Sequence, residues 1–341
     1  MNTQSPALRF FLGLAAFVVV IAGMKTAQSI IVPFLLAAFI SIISAPYLNW
    51  LNRKGVPMPL ALLVVILVIV ASGVGLAALL GTSLDAFSEA LPSYQDRLQG
   101  EVRRFAQWLT HLGIDVSDQT FLSFLNPGSA MALASGLLKG LGNVLTNAFL
   151  ILLTVMFILM EASSFPAKLR AVLGSPDHTL EETYTVLDNI KRYMSIKLLT
   201  SAMTGILVAA GLSLMGVDFP VLWGFFAFLL NFIPNIGSII AAIPAVLLAL
   251  LQFGVAGALG VAVLYLATNV TIGSILEPRW MGNQLGVSPL IVFVSLVFWG
   301  WVFGPVGMFL SVPLTISVQI ALASRDDTRW IAVLLGPGTT E

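Results

Sequence analysis

The sequence predicts an all-α, polytopic membrane protein with about eight transmembrane helices, a re-entrant or broken helical element and a small extracytoplasmic helical insert. Three observations lead there. Of the 341 residues 58% are hydrophobic and only 9% are charged, against about a quarter charged in soluble domains. Apolar runs repeatedly reach the roughly 20 residues that a helix needs to cross a bilayer. Lysine and arginine collect in the short polar segments between those runs, as the positive-inside rule requires of cytoplasmic loops.

The first element is the run from Ala7 to Ala45. As a single helix it would be about 58 Å long, too long for one crossing. Lys25 and Gln28 divide it into spans near 7–24 and 27–45. Met1 to Pro6 lack the basic region and small-residue cleavage site of a signal peptide, so the first run reads as a retained span. The loop from Pro46 to Pro59 carries Arg53 and Lys54 and no acid, which puts it and the N-terminus in the cytoplasm. A third span, 60–82, carries the chain outward and completes an N-terminal three-span region, 1–82.

Residues 83–140 are the most polar stretch. Leu84, Phe87, Leu91, Tyr94, Leu98, Phe105 and Leu112 recur mostly at steps of three and four, the signature of an amphipathic helix continuous with the third span. Gly113 and Asn126-Pro127-Gly128 interrupt it, predicting a helical hairpin outside the membrane.

The remainder, 141–341, is read as the transport region. A fourth span, 142–160, returns inside. Thr179-x-x-Glu182 forms a capping box for a cytoplasmic amphipathic helix over 177–193, which leads into a fifth span at 194–215. Next comes 219–251, where Pro234 removes a backbone donor and Gly237 loosens the chain. Its halves, 221–233 and 238–251, would each be about 20 Å long, too short to span alone. Spans follow near 255–275, 287–303 and 305–323. A single crossing by 219–251 would leave Arg279, Arg325 and Arg329 outside, whereas a re-entrant dip keeps all three inside. The positive-inside rule selects the dip, with both termini cytoplasmic. The last pair, joined by Phe303-Gly304-Pro305, has the brevity of a shallow hairpin.

Irregular backbone at membrane depth survives only where protein or a water-filled cavity satisfies it, and broken helices commonly build transporter sites. The candidate substrate pathway is therefore Asn231, Pro234, Asn235, Gly237 and Ser238. Their amides and freed carbonyls suit a neutral polyhydroxylated ligand or a desolvated cation. The competing reading is that the two asparagines only cap the half-helices. Asn269 joins the candidates from a span that also carries Thr268, Thr271 and Ser274, residues that serve equally as interhelical hydrogen-bond glue. Glu277 and Arg279 form the second candidate, a pair at the end of that span that reads as gate, coupling site or structural clamp. Gly300, Gly304 and Gly307, with Gly254, Gly257 and Gly260, read as close-packing positions. Trp280, Trp299 and Trp301 read as interfacial anchors.

Absences narrow the function. With no cysteine and only His111 and His178 as histidines, no metal site is expected. No phosphate loop of the P-loop type occurs, so ATP hydrolysis is not expected; no cofactor and no catalytic set is expected either. Zero net charge gives no footprint for nucleic acid. Acids are scarce within the later spans, which argues against a proton-driven cation carrier.

Three stretches together carry a family likeness: IIVPFLLAAFISIISAPYLNWL from Ile30, NFIPNIGSIIAAIPAVLLAL from Asn231, and ILEPRWMGNQLGVSPLIVFVSLVFWGWVFGPVGMFLSVPL from Ile275. The chain resembles the autoinducer-2 exporter family of bacterial permeases, through Pro234, Asn235, Ile236 and Gly237 and through Glu277, Pro278, Arg279, Met281 and Gly282. The resemblance implies an eight-span protein of the bacterial inner membrane, assembled as a homopentamer, that exports the small furanone signal autoinducer-2. It also implies a sodium (lithium)/proton antiporter as an alternative, since some members are described so. A third reading is a non-transporting scaffold whose external hairpin binds a partner. None of the three is an enzyme, and the expected partners are a small-molecule signal and membrane lipid.

Overall fold

The computed structural model describes residues 6–111, 146–162, 178–234, 236–281, 288–323 and 326–336. The expected reversals at Gly113 and at 126–128 lie outside these residues, as do Asn235, Gly282 and Arg325. Among the described residues every regular element is a helix: α1 Pro6–Thr26, α2 Gln28–Arg53, α3 Met58–His111, α4 Ala148–Ala162, α5 His178–Leu214, α6 Pro220–Leu230, α7 Gly237–Thr268, a π-helical segment Asn269–Leu276, α8 Glu277–Met281, α9 Pro289–Phe309, α10 Ser311–Ala323 and α11 Asp326–Leu335.

Among the described residues five helical stretches are long and apolar enough to cross a membrane: Gln28–Arg53, Met58–Phe87, Ile190–Leu214, Gly237–Met281 and Leu290–Phe309. Phe11–Thr26, Ala148–Glu161, Pro220–Leu230 and Ser311–Ala323 are apolar but shorter. Among the described residues length and composition thus give five candidate spans, two of which contain a non-helical glycine, Gly254 or Gly304. Their surfaces suit lipid: Val19, Leu67, Val74, Ile206, Val263 and Val297 all stand exposed, a pattern water would not tolerate over so many helices.

The chain divides into two compact units. The first is drawn from Met1–Val65, Val144–Lys191 and Gly286–Glu341, the second from Ile66–Asn143 and Arg192–Leu285.

In the first unit the expected break between the opening spans falls at Ala27, between α1 and α2. Ile21 packs with Trp299, Val302 and Phe303 into a core flanked by Ile31, Val32 and Leu35. Trp299 is therefore a core residue, stacked on Phe303 at 5.7 Å, and not the interfacial anchor expected. Its cluster is completed by the partly buried Met24, Phe298 and Leu314. Trp301 does face outward, with the Lys25 ammonium 3.6 Å from its ring centroid. Within α9, Gly304 adopts φ 66°, ψ −150°, a region open essentially to glycine alone. The chain reverses there. A Cβ built on Gly307 would lie 1.9 Å from the Trp299 carbonyl oxygen, although residues eight apart in a straight helix are about 12 Å apart along the axis.

The second unit is organised along α5. Asn231 meets Ser201, Phe228 meets Gly205 and Gly224 meets Ala209, so α6 runs antiparallel to α5. The turn at 231–236 brings the chain into α7, which returns until Phe253 lies beside Gly216 and Gln252 bonds Asp218. At Gly254 (φ 72°, ψ −163°) the chain reverses again. The second arm of α7 and the π-helical segment then descend the C-terminal half of α5, with Gly260 at Met215, Leu264 at Gly211 and Glu277 at Lys197. Both ends of the α6–α7 hairpin therefore lie at the C-terminal end of α5, and its tip lies near Ser201.

That hairpin base is tied to α3. The Tyr94 hydroxyl and the Gln252 amide both donate to the Asp218 carboxylate, and the Trp223 indole donates to the Asp218 carbonyl at 3.0 Å. Phe87 meets Phe219 and Trp223 edge-on at 5.5 and 5.6 Å. Phe219 holds φ 58°, a strained value for a non-glycine residue. The aromatic cluster holds it there. Burial first, and then the Asp218 carboxylate, push the Tyr94 phenol above its usual range.

Candidate polar site between α5, the hairpin tip and the π-helical segment

On α5 the residues Lys197, Thr200, Ser201 and Thr204 recur at one helical face, and all four are buried. Polar side chains on an apolar helix are retained where partners satisfy them, and each of these has one. The Lys197 ammonium lies 2.6 Å from Glu277 Oε1, with the two side chains only 5% and 14% exposed. The Thr200 hydroxyl reaches Glu277 Oε2 at 3.2 Å. The Asn231 amide donates to the Ser201 hydroxyl at 3.0 Å. The Thr204 hydroxyl donates to the Thr200 carbonyl at 2.9 Å.

The surrounding backbone is irregular on both sides of this column. Asn231 closes α6 as its C-cap residue, and Pro234 forces the turn that follows. Gly237 opens α7 so close to α6 that a Cβ there would lie 1.7 Å from the Leu230 carbonyl oxygen. On the other side the chain widens into the π-helical segment immediately before Glu277, whose amide bonds the Ile272 carbonyl five residues back. Such segments recur at functional sites because they turn a side chain out of the ordinary helical register.

The sequence-predicted residues are only partly brought together. Asn231 is in the column, and Pro234 and Gly237 shape its tip. Ser238 is half-buried in the first turn of α7, and Asn235 lies outside the described residues. Asn269 begins the π-helical segment, half-buried above Gly273. Glu277 takes its ion partner from α5 rather than from its neighbour: Lys197 meets it, while Arg279 is exposed on α8. Two residues apart on a helix, Glu277 and Arg279 do not share a face. Lys197 went unread, although a lysine three residues into an apolar run is itself the signal. Thr200, Ser201 and Thr204 were hidden by their frequency in ordinary helices.

Long apolar helices with aliphatic surfaces around a sunken charge pair define a multi-pass, all-helical membrane protein. The family model described as "AI-2E family transporter" matches residues 14–325, and the chain belongs to that family. It is 40% identical to the AI-2 transport protein TqsA of Escherichia coli K12, over 96% of this chain and 95% of that protein. It is 37% identical to the putative transport protein YhhT of the same organism, over 99% and 98% of the two chains. A putative transport protein of Haemophilus influenzae is 39% identical over 96% of each.

Proposed function

We propose that the chain exports a small polar signalling molecule of the autoinducer-2 type across the bacterial cytoplasmic membrane, with both termini on the cytoplasmic side. The observation that carries this reading is the buried column of Lys197, Thr200, Ser201 and Thr204 facing Asn231 at the tip of a broken hairpin. Such a column offers hydroxyl and amide groups to a hydroxylated solute at membrane depth, where lipid offers none. The hairpin is then re-entrant from outside. Its arms, about 16 and 25 Å long, enter and return at the C-terminal end of α5, where Asp218, Gln252 and Tyr94 meet. The Lys197–Glu277 pair closes the cytoplasmic end as a latch. The name of the Escherichia coli relative, an AI-2 transport protein, supports the choice of solute.

A cation/proton antiporter is the second reading, favoured by the same pair: a carboxylate held against a lysine among apolar helices is a group that a cation or proton could displace. The two readings separate in proteoliposomes of purified protein loaded with autoinducer-2. Export predicts that wild type releases the signal faster than empty liposomes and that Asn231→Ala slows release. The antiporter predicts no release, but a sodium-dependent pH change that Glu277→Gln abolishes.

A further inference from the structure

The two glycine corners share a sequence signature. Phe253-Gly254-Val255-Ala256-Gly257 and Phe303-Gly304-Pro305-Val306-Gly307 both read F-G-x-x-G. In each the first glycine takes nearly the same positive-φ conformation. In each the second glycine closes onto the preceding arm, at the Ala249 and Trp299 carbonyls respectively. The chain has thus built the same helical corner twice, once in each unit, and the corner in the second unit joins the arm that begins at the hairpin tip to the arm that leads to Glu277. The corner in the first unit, between the arms of the α9–α10 hairpin, also encloses polar groups. The Trp299 indole donates to the Thr315 hydroxyl at 3.0 Å, and Thr315 donates to the Ser295 hydroxyl at 2.7 Å.

Those bonds alone would be interhelical glue. Ser311 is what glue does not explain. It lies one turn before Thr315 on the same face of α10 and is completely buried. Its hydroxyl has no hydrogen-bond partner among the described residues. A buried unpaired hydroxyl is destabilising, and nearly all such groups in folded proteins have a protein, water or ligand partner. An alanine would fit the same helix without that cost.

We propose that the α9–α10 hairpin carries a second binding locus, lined by Ser295, Ser311 and Thr315, for a small neutral solute that presents hydroxyl or carbonyl groups. The lining is uncharged, so it selects by hydrogen bonding, and the Ser311 hydroxyl is the group held open for the solute. The choice of autoinducer-2 as probe rests on the export reading above.

The test uses the full-length chain, which has no native cysteine. Ser311→Ala removes an oxygen bonded to no described protein group, so assembly and thermal stability should match wild type while autoinducer-2 release falls about tenfold, equivalent to about 1.4 kcal/mol. The thiol of Ser311→Cys should react with methyl methanethiosulfonate, and autoinducer-2 should slow that reaction severalfold. Wild-type release by Ser311→Ala, an unreactive thiol, or a reactive thiol that autoinducer-2 leaves unprotected would each overturn the proposal, the last by assigning the space to water. If wild type released no autoinducer-2 while the signal still protected the thiol, the export reading would fall and the locus would stand.

Discussion

Replacing Lys197 by methionine removes one half of a charge pair from an environment that offers Glu277 little else. The two side chains are nearly closed to the surface. With charge centres about 4 Å apart and an effective dielectric constant of about 20, the attraction is roughly 4 kcal/mol. Removing one partner from such a pair typically costs about 3–5 kcal/mol, because the other charge stays buried. The hydrogen bond from Thr200 is already made in wild type and so does not offset the loss. Lys197→Met and Glu277→Gln should therefore each lower the apparent melting temperature, read by fluorescence-detected size exclusion after heating. The double variant Lys197→Met/Glu277→Met replaces both charges by packed apolar side chains and should recover most of the loss. Transport should not recover with it, because a latch needs both charges. Single variants as stable as wild type would mean the pair is not desolvated. A double variant as unstable as the two losses combined would mean the residues are not coupled. Either result would refute the reasoning.

Other consequences are simpler to measure. Gly254→Ala and Gly304→Ala force a Cβ into a backbone region reserved for glycine and should each cost about 1–3 kcal/mol, seen as lower assembled yield, whereas Gly73→Ala, with open space around it, should be neutral. Asn231→Ala removes the bond to Ser201 and should cost about 1 kcal/mol in stability while slowing release by more than that loss explains. At the hairpin base, the phenol of Tyr94 ionises later in the folded chain than in the unfolded one. The stability this contributes is fully present below the ordinary tyrosine value of about 10 and is lost as pH rises from there through the folded value. Comparing thermal stability at pH 9 and pH 11 should show a smaller loss for Tyr94→Phe than for wild type.

The apolar periodicities and punctuation residues made much of the fold legible. The halves read at 221–233 and 238–251 correspond to α6 and the first arm of α7, because Pro234 and Gly237 act locally. The fracture read near Lys25 and Gln28 appears at Ala27, where polar residues interrupt the apolar run. The amphipathic spacing through Phe87 and Tyr94 correctly extended the third span into one helix, as far as His111. What stayed hidden depends on distance along the chain. Lys197 and Glu277 are partners across eighty residues, and nothing near Glu277 announces that its charge is met from α5 and not by Arg279. The joint at Phe303-Gly304-Pro305 and the gap between the runs 238–251 and 255–275 marked both corners in the sequence, but composition does not report the sign of φ at Gly254 and Gly304. Trp299 was assigned to the interface by residue type. Its depth is set by Ile21 and Thr315, on other helices.

The most direct test of the account asks whether the hairpin tip lines a path open to water and to the solute. Asn231→Cys, in a chain otherwise free of cysteine, would be exposed to a membrane-impermeant thiol reagent in oriented proteoliposomes, with and without autoinducer-2. The account predicts labelling that autoinducer-2 slows, since the tip and the α5 column form the solute pathway. A thiol unreactive from either side, in protein that assembles normally and still transports, would contradict it and move the pathway elsewhere.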